Sequence, residues 1–447
     1  MKTWKPVLTG ELAAAASFAG REVSARLSVP SRVEEAAAAM RTQTAFPRSA
    51  GWAPYSVAQG YAGLALLWSY LDAISPEEAW DVTAREHLEL AVHDVEAHSN
   101  LPAGLFSGLS GMAFSAWQLS RQGTRYRRLL SALDGEIAPQ VISLANSLLG
   151  QHGVSVSDFD VISGLSGIGA YLLCRRHEPG ADAALASVVQ ALIDLGGEVD
   201  GVPRWHTPVH RLWDEEQQKL YPHGDLNCGL AHGIPGPLAF LSLACQAGLE
   251  SPGLPESIAR LAGWLCRNRL DDSWGVNWPT ATPLVERDGR LEAPPAASTA
   301  ELTSRCAWCY GSPGVARALW LAGEALDCNE YRDLALSAME AVFRRPIPER
   351  RIDSPTFCHG VAGLLQITLR FAHDTGLAVF QEQSLVLVRQ ILGCYRPESL
   401  LGFRNIETPS SETDQPGLLD GAPGVALVLL AAATSVEPTW DRLFLLS

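Results

Sequence analysis

Two cysteines and a histidine stand out because each falls just before a glycine turn. The stretch Arg305-Cys306-Ala307-Trp308-Cys309-Tyr310-Gly311-Ser312-Pro313-Gly314 puts a thiol two residues ahead of a Gly-x-Pro-Gly turn. Forty-nine residues later the turn returns as Gly360-Val361-Ala362-Gly363, preceded by Cys358-His359. Thiolate and imidazole are the donors Zn²⁺ favours, and three protein ligands leave a fourth position open, as catalytic zinc requires. Cys309, Cys358 and His359 are therefore the candidate metal ligands, with one zinc per chain. Cys306 forms a competing Cys306-x-x-Cys309 pair.

These residues need elements to bring them together, and the chain repeats itself to supply them. Gly-x-x-Gly followed by an apolar run occurs seven times, with first glycines at Gly60, Gly108, Gly164, Gly233, Gly311, Gly360 and Gly421. The runs are Leu64–Leu71, Met112–Leu119, Ile168–Cys174, Pro237–Cys245, Val315–Leu326, Leu364–Ala372 and Val425–Ala432. They are apolar nearly all round, as buried helices are. Pro235, Pro313 and Pro423 share one place in the turn, where a proline starts a helix. The first glycine is expected to supply a backbone angle closed to other residues. The second is expected to let helices pack closely.

Between these runs lie two-faced segments: Arg85–His98, Arg125–Leu133, Ala181–Leu195, Glu256–Arg269, Tyr331–Arg345 and Gln381–Cys394. In the fifth, Ala335, Ala338, Met339 and Val342 recur at helical spacing, opposite Asp333, Ser337, Glu340 and Arg344. Glu11–Leu27 and Arg32–Thr44 also read as helices. The expected fold is all-α. It is an α/α toroid (barrel) of seven inner and seven outer helices, with the Gly-x-x-Gly turns at one mouth. A single domain over residues 1–447 is expected. Insertions at 196–229 and 271–304, irregular or β-containing, are expected over that mouth. Trp205, Trp213, Tyr221, Trp274 and Trp278 lie in them, suited equally to core packing or to a peptide surface.

Aligned on the first glycine, the preceding position holds Gln59, Ser107, Ser163, His232, Tyr310, His359 and Asp420. Asp160 lies four residues before Gly164, and Arg305 six before Gly311. Turns sharing one mouth would face these side chains into one cavity. Taken singly, the cysteines are ordinary buried thiols, His232 a helix-end histidine, Asp160 a cap, and Arg305 and Tyr310 packing residues. Register with the ligands makes them candidates together.

Composition narrows the rest. The chain has 447 residues, 47% hydrophobic and 19% charged, with a formal net charge of −15. It is a globular chain with no basic stripe of the kind nucleic acid requires. No uncharged apolar run reaches the roughly 18 residues of a membrane span, and no secretory signal is visible. Nine scattered cysteines do not make a disulfide framework, which points to a reducing cytoplasm.

Asn227-Cys228-Gly229-Leu230-Ala231-His232-Gly233, Trp308-Cys309-Tyr310-Gly311 and Cys358-His359-Gly360 resemble the signature of the lanthipeptide cyclases, the LanC family. Asp160-Val161-Ile162-Ser163-Gly164 and the closing Trp440–Ser447 resemble it as well. The resemblance implies a free-standing class I cyclase that adds peptide cysteine thiols to dehydroalanine or dehydrobutyrine, forming (methyl)lanthionine thioethers. It implies zinc on Cys309, Cys358 and His359, with His232, Asp160, Arg305 and Tyr310 lining the reaction site. It also implies a dehydrated precursor peptide with its leader as substrate and a class I dehydratase as partner. Any membrane attachment would come through that complex. Asp160 either orients His232 or pairs with Arg305; spacing does not choose. Competing readings are addition of a small thiol such as glutathione, a zinc-containing peptide-binding scaffold, and zinc hydrolysis. No Glu accompanies the ligands as a hydrolase motif would require.

Overall fold

The structure is a computed structural model that describes residues 3–46, 51–294, 304–408 and 411–447. The chain forms two compact units. One comprises Met1–Pro102, Phe106–Leu133 and Arg351–Asp441; the other comprises Ala103–Leu105, Asp134–Arg350 and Arg442–Ser447.

Each glycine turn opens a helix. In the first unit these inner helices are Tyr61–Ile74, Leu109–Gln118, Val361–Thr375 and Ala422–Ala433. In the second they are Leu165–Cys174, Pro235–Gln246 and Ser312–Leu326. Their burial is continuous: every residue from Ala422 to Ala432 is buried. Pro235, Pro313 and Pro423 sit in the first helical turn, where no backbone N–H is needed.

Outer helices bury one face only. Asn329–Arg344 buries Leu334, Ala335, Ala338, Met339, Ala341 and Val342, the stripe its spacing predicts. Six outer helices follow the expected segments: Trp80–Glu96, Arg127–Leu148, Ala181–Leu195, Leu254–Arg267, Asn329–Arg344 and Ala378–Gly393. The seventh is the helix Gly10–Leu27, which packs against Ala422–Ala433. Ahead of it, Val7 and Leu8 donate their backbone N–H to the Ala432 carbonyl, and Trp4 Nε1 donates to that of Ala431 at 3.1 Å. The last inner helix in turn packs against the first, Tyr61–Ile74.

One boundary departs from expectation. The helix expected to end at Leu133 runs on to Leu148, through Gly135 and Pro139. Ile137, Val141 and Ala145 form a buried stripe along this extension. Burying the Ile and Val side chains is worth roughly 1.5–3 kcal/mol each, which offsets the roughly 3 kcal/mol cost of an internal proline.

The insertions do contain short strands. Asp225–Asn227 pairs antiparallel with Ala281–Pro283, tying one insertion to the other. Leu270–Asp272 pairs with Gly275–Asn277, and Val285–Arg287 pairs with Arg290–Glu292 around Asp288-Gly289. Asp288 (φ 49°) and Gly289 (φ 75°) are both left-handed, as a primed hairpin turn demands. Residues 295–303 of the second insertion lie outside the described residues. A further pair, Asn405–Thr408 with Ser411–Thr413, lies before the seventh turn and was not expected from sequence.

The closing segment is anchored in each unit. Asp441 accepts from Arg370 Nε and Nη2, each at 2.7 Å, and from Gln366 Nε2 at 2.7 Å, all fully buried in the first unit. In the second, Trp308 Nε1 donates to the Phe444 carbonyl at 3.1 Å and Arg317 Nε to that of Leu446 at 2.8 Å.

Candidate active site

Backbone hydrogen bonds stitch the turns together. In the second unit, Val161 N–H donates to the Ala231 carbonyl at 3.0 Å, and Ala231 N–H to the Cys309 carbonyl at 3.2 Å. In the first, Cys358 N–H donates to Leu419, Leu419 to Ala58, and Ala58 to Phe106. Ala231, Cys309, Cys358, Leu419, Ala58 and Phe106 all stand two residues before a first glycine. The register read from sequence is thus a physical ladder within each unit.

The glycines serve this ladder differently from expectation. Only Gly311 among the first glycines has a left-handed angle, φ +96°. Elsewhere the angle is ordinary; Gly421, for example, has φ −132°. The reason for glycine there is close approach: a Cβ on Gly421 would collide with the Gln415 carbonyl six residues back. The second glycines Gly63, Gly167, Gly236, Gly314 and Gly424 meet the same obstacle together with a side chain of a neighbouring turn, such as Leu230 at Gly314.

In the second unit this ladder delivers a carboxylate–imidazole pair. His232 Nδ1 lies 2.7 Å from Asp160 Oδ2. Asp160 is 1% exposed, and its other oxygen accepts the backbone N–H of Ser163 at 2.7 Å and of Gly164 at 2.8 Å. Among the described residues no ion pair joins Asp160 to Arg305. Of the two arrangements left open by spacing, the structure contains the one in which Asp160 orients His232. With Nδ1 occupied, Nε2 is the nitrogen left for proton exchange.

Tyr310 stands beside this pair, its ring centroid 6.3 Å from that of His232. Its hydroxyl accepts from Asn227 Nδ2 at 3.1 Å. Burial pushes the phenol well above its usual range, so it stays protonated. Gly229 makes room for it, since a Cβ there would strike the Tyr310 ring. Cys309 is buried on the same loop, and Arg305 is exposed at the loop's start. Cys306 is buried, and its backbone N–H donates to the Arg350 carbonyl at 2.8 Å.

In the first unit, Cys358 and His359 meet Asp420, and one donor atom from each lies within 4.8 Å of the others. His359 Nδ1 is 3.3 Å from Asp420 Oδ1, a buried oxygen with no hydrogen-bond partner. Burial pushes the Asp420 carboxyl above the usual range, against the pull of His359. Sulfur, imidazole and carboxylate with an unsatisfied buried oxygen form a donor set that fits zinc. Asp420 occupies the position of His359 in the seventh repeat. That alignment was its only signal in the sequence.

No spacing in the sequence marks Asn227 as the partner of Tyr310, or Asp225 as a buried carboxyl. The latter is 4% exposed with Oδ1 unpaired, and burial pushes it up to about 7. The insertion aromatics divide. Trp205, Tyr221 and Trp278 are core, whereas Trp213 is 55% exposed and lies edge-on to His232, centroids 4.6 Å apart.

The lanthionine synthetase C-like protein family matches residues 51–445, nearly the whole chain. This chain belongs to that family. It is 27% identical over 394 residues to the nisin biosynthesis protein NisC of Lactococcus lactis subsp. lactis, covering 88% of each sequence. Its fold matches nisin cyclase with a TM-score of 0.73 at 24% identity, covering 89% of this chain and 93% of that one. The fold class of this LanC-like chain is therefore the α/α toroid that its seven turns led one to expect.

Proposed function

We infer that this LanC-like protein is a lanthipeptide cyclase. It adds the thiol of a peptide cysteine across the double bond of a dehydroalanine or dehydrobutyrine in the same peptide, giving a thioether ring. The observation that carries this reading is the Asp160–His232 pair, held at a glycine turn in a chain with the family's three-part signature.

The reaction loses no atoms. The thiol gives up its proton, and sulfur bonds to the β-carbon. The π pair moves toward the carbonyl as an enolate, and the α-carbon then takes a proton. His232 exchanges protons through Nε2 while Asp160 holds Nδ1 and stabilises the imidazolium. Arg305 and the protonated hydroxyl of Tyr310 offer donors to the enolate oxygen. Cys309, Cys358 and His359 are the residues proposed to hold one zinc, with Asp420 beside His359. Zinc, when bound, lowers the pKa of a thiol so that the nucleophilic thiolate forms at neutral pH.

The family match runs through both units, which supports one domain with insertions at 196–229 and 271–304. The substrate proposed is a dehydrated precursor peptide carrying its leader, the partner a class I dehydratase, and the location the cytoplasm. No helix among the described residues is long and apolar enough to cross a membrane.

Metal content of wild type and of Cys309→Ala tests the reading, together with cyclisation of a dehydrated peptide. Cyclisation leaves mass unchanged, so remaining thiols are counted by alkylation. About one zinc per chain, lost in Cys309→Ala along with ring formation, is expected. Wild type without zinc, or a peptide whose thiols all stay alkylatable, would overturn it. Faster reaction with added glutathione than with the peptide's own thiol would favour the small-thiol alternative.

A further inference from the structure

We propose that Trp213 is the positioning residue of the acid–base histidine, fixing the imidazole of His232 so that its proton reaches one face of the substrate's α-carbon. The proposal rests on the cyclase reading and deepens it.

Trp213 departs from the burial pattern of its insertion. Trp205 is 2% exposed and edge-on to Trp264 at 4.8 Å, and Tyr221 packs with Leu212 and Ala281. Trp213 stays 55% exposed, yet its ring stands at 82° to that of His232 with centroids 4.6 Å apart. Of Trp205, Trp213 and Tyr221, only Trp213 is exposed, and the ring it meets is that of His232. The backbone on either side is fixed. Leu212 is buried, and the Asp214 side chain caps the following helix by accepting from Gln217 N–H at 2.8 Å. The indole is thus placed against His232 by anchored neighbours.

What it adds follows from the geometry of the pair. The single bond from Nδ1 to Asp160 fixes the tautomer, but the ring can still tilt about that bond. A wall of aromatic atoms at van der Waals distance removes the tilt. Direction matters in the second half of the reaction. The enolate π pair takes the proton from Nε2 to form the α-carbon–hydrogen bond, leaving neutral imidazole. The face that receives the proton sets the configuration of the new α-carbon. A tilting acid would deliver to both faces and would protonate more slowly.

The test compares Trp213→Ala and Trp213→Phe with wild-type holoenzyme on a dehydrated peptide. For Trp213→Ala, kcat is expected to fall about tenfold or more, with KM within about threefold. Its rings are expected to contain mixed lanthionine diastereomers, read by chiral chromatography of the hydrolysed product. Trp213→Phe, which keeps a wall, restores a single diastereomer. In enzyme without peptide, diethylpyrocarbonate should modify His232 faster in Trp213→Ala, where the indole beside the imidazole is gone, as mapped by mass spectrometry. A single diastereomer with wild-type kcat in Trp213→Ala overturns the proposal, as does an unchanged rate of His232 modification. Wild type that forms no rings sinks the cyclase reading instead. The modification rate still decides whether Trp213 walls His232.

Discussion

Replacing Asp160 by Asn separates an orienting carboxylate from a merely buried one. Asp160 Oδ1 takes two backbone N–H groups, from Ser163 and Gly164, while Oδ2 takes His232. An amide has only one acceptor arm. Turning its NH₂ toward the two backbone donors would strand both in a buried site, at roughly 1–3 kcal/mol for each group. The carbonyl arm therefore stays with Ser163 and Gly164, and the NH₂ arm faces Nδ1. His232 must then accept at Nδ1 and carry its proton on Nε2, the wrong tautomer for taking a proton from substrate. The charge-assisted bond that supports the imidazolium is also gone, a loss of about 1.5–3 kcal/mol in the transition state. That is a fall in kcat of roughly 10- to 150-fold, with KM little changed. The assay is ring formation measured by loss of alkylatable thiols, beside circular dichroism and metal content to show an intact, loaded protein. Asp160→Asn with more than half of wild-type kcat would refute the orienting role. So would a variant whose activity loss tracks unfolding.

Three further outcomes are expected. Asp441→Ala leaves Arg370 buried without its bidentate partner, a loss of about 3–5 kcal/mol that thermal denaturation will detect; an unchanged melt would show the pair is dispensable. Asp420→Ala removes the carboxylate beside His359, so zinc should pass to a chromogenic chelator with affinity reduced about 10- to 100-fold; wild-type retention would mean Asp420 neither steadies His359 nor adds a donor. Asp225 is raised by burial to about 7, so the folded state holds a proton that the unfolded chain releases near its lower pKa. Its stabilising effect is full below that lower value and is lost as pH rises through about 7, by at most about 4 kcal/mol. Asp225→Asn should flatten this part of the pH–stability curve, and an unaltered slope would put the titration elsewhere.

Much of the architecture is legible in one dimension because each repeat carries its own signals. Apolar-all-round runs after glycine turns make buried helices whatever surrounds them, and two-faced runs make half-buried ones. Where a local signal misled, a tertiary gain outweighed it. The segment read as ending at Leu133 runs on to Leu148, because the buried stripe at Ile137, Val141 and Ala145 offsets the cost of Gly135 and Pro139 inside the helix. The strands Asn405–Thr408 and Ser411–Thr413 are too short and polar to announce themselves. That the outer partner of the last helix is Gly10–Leu27 is a matter of which surfaces meet, and no local pattern encodes it.

The sequence by itself determined the types and register of the reactive residues: His232, Tyr310, His359 and Asp420 each one position before a turn, and Cys309 and Cys358 each two. That register is a property of spacing, and the backbone ladder turns spacing into position. Tertiary structure alone decided who touches whom. It gave Asp160 to His232 and not to Arg305, Asn227 to Tyr310, Asp420 to His359, and the indole of Trp213 to the imidazole of His232. Hydrogen bonds and ring contacts reach only a few ångströms. Their partners are set by how loops far apart in the chain fold against one another, which spacing does not record.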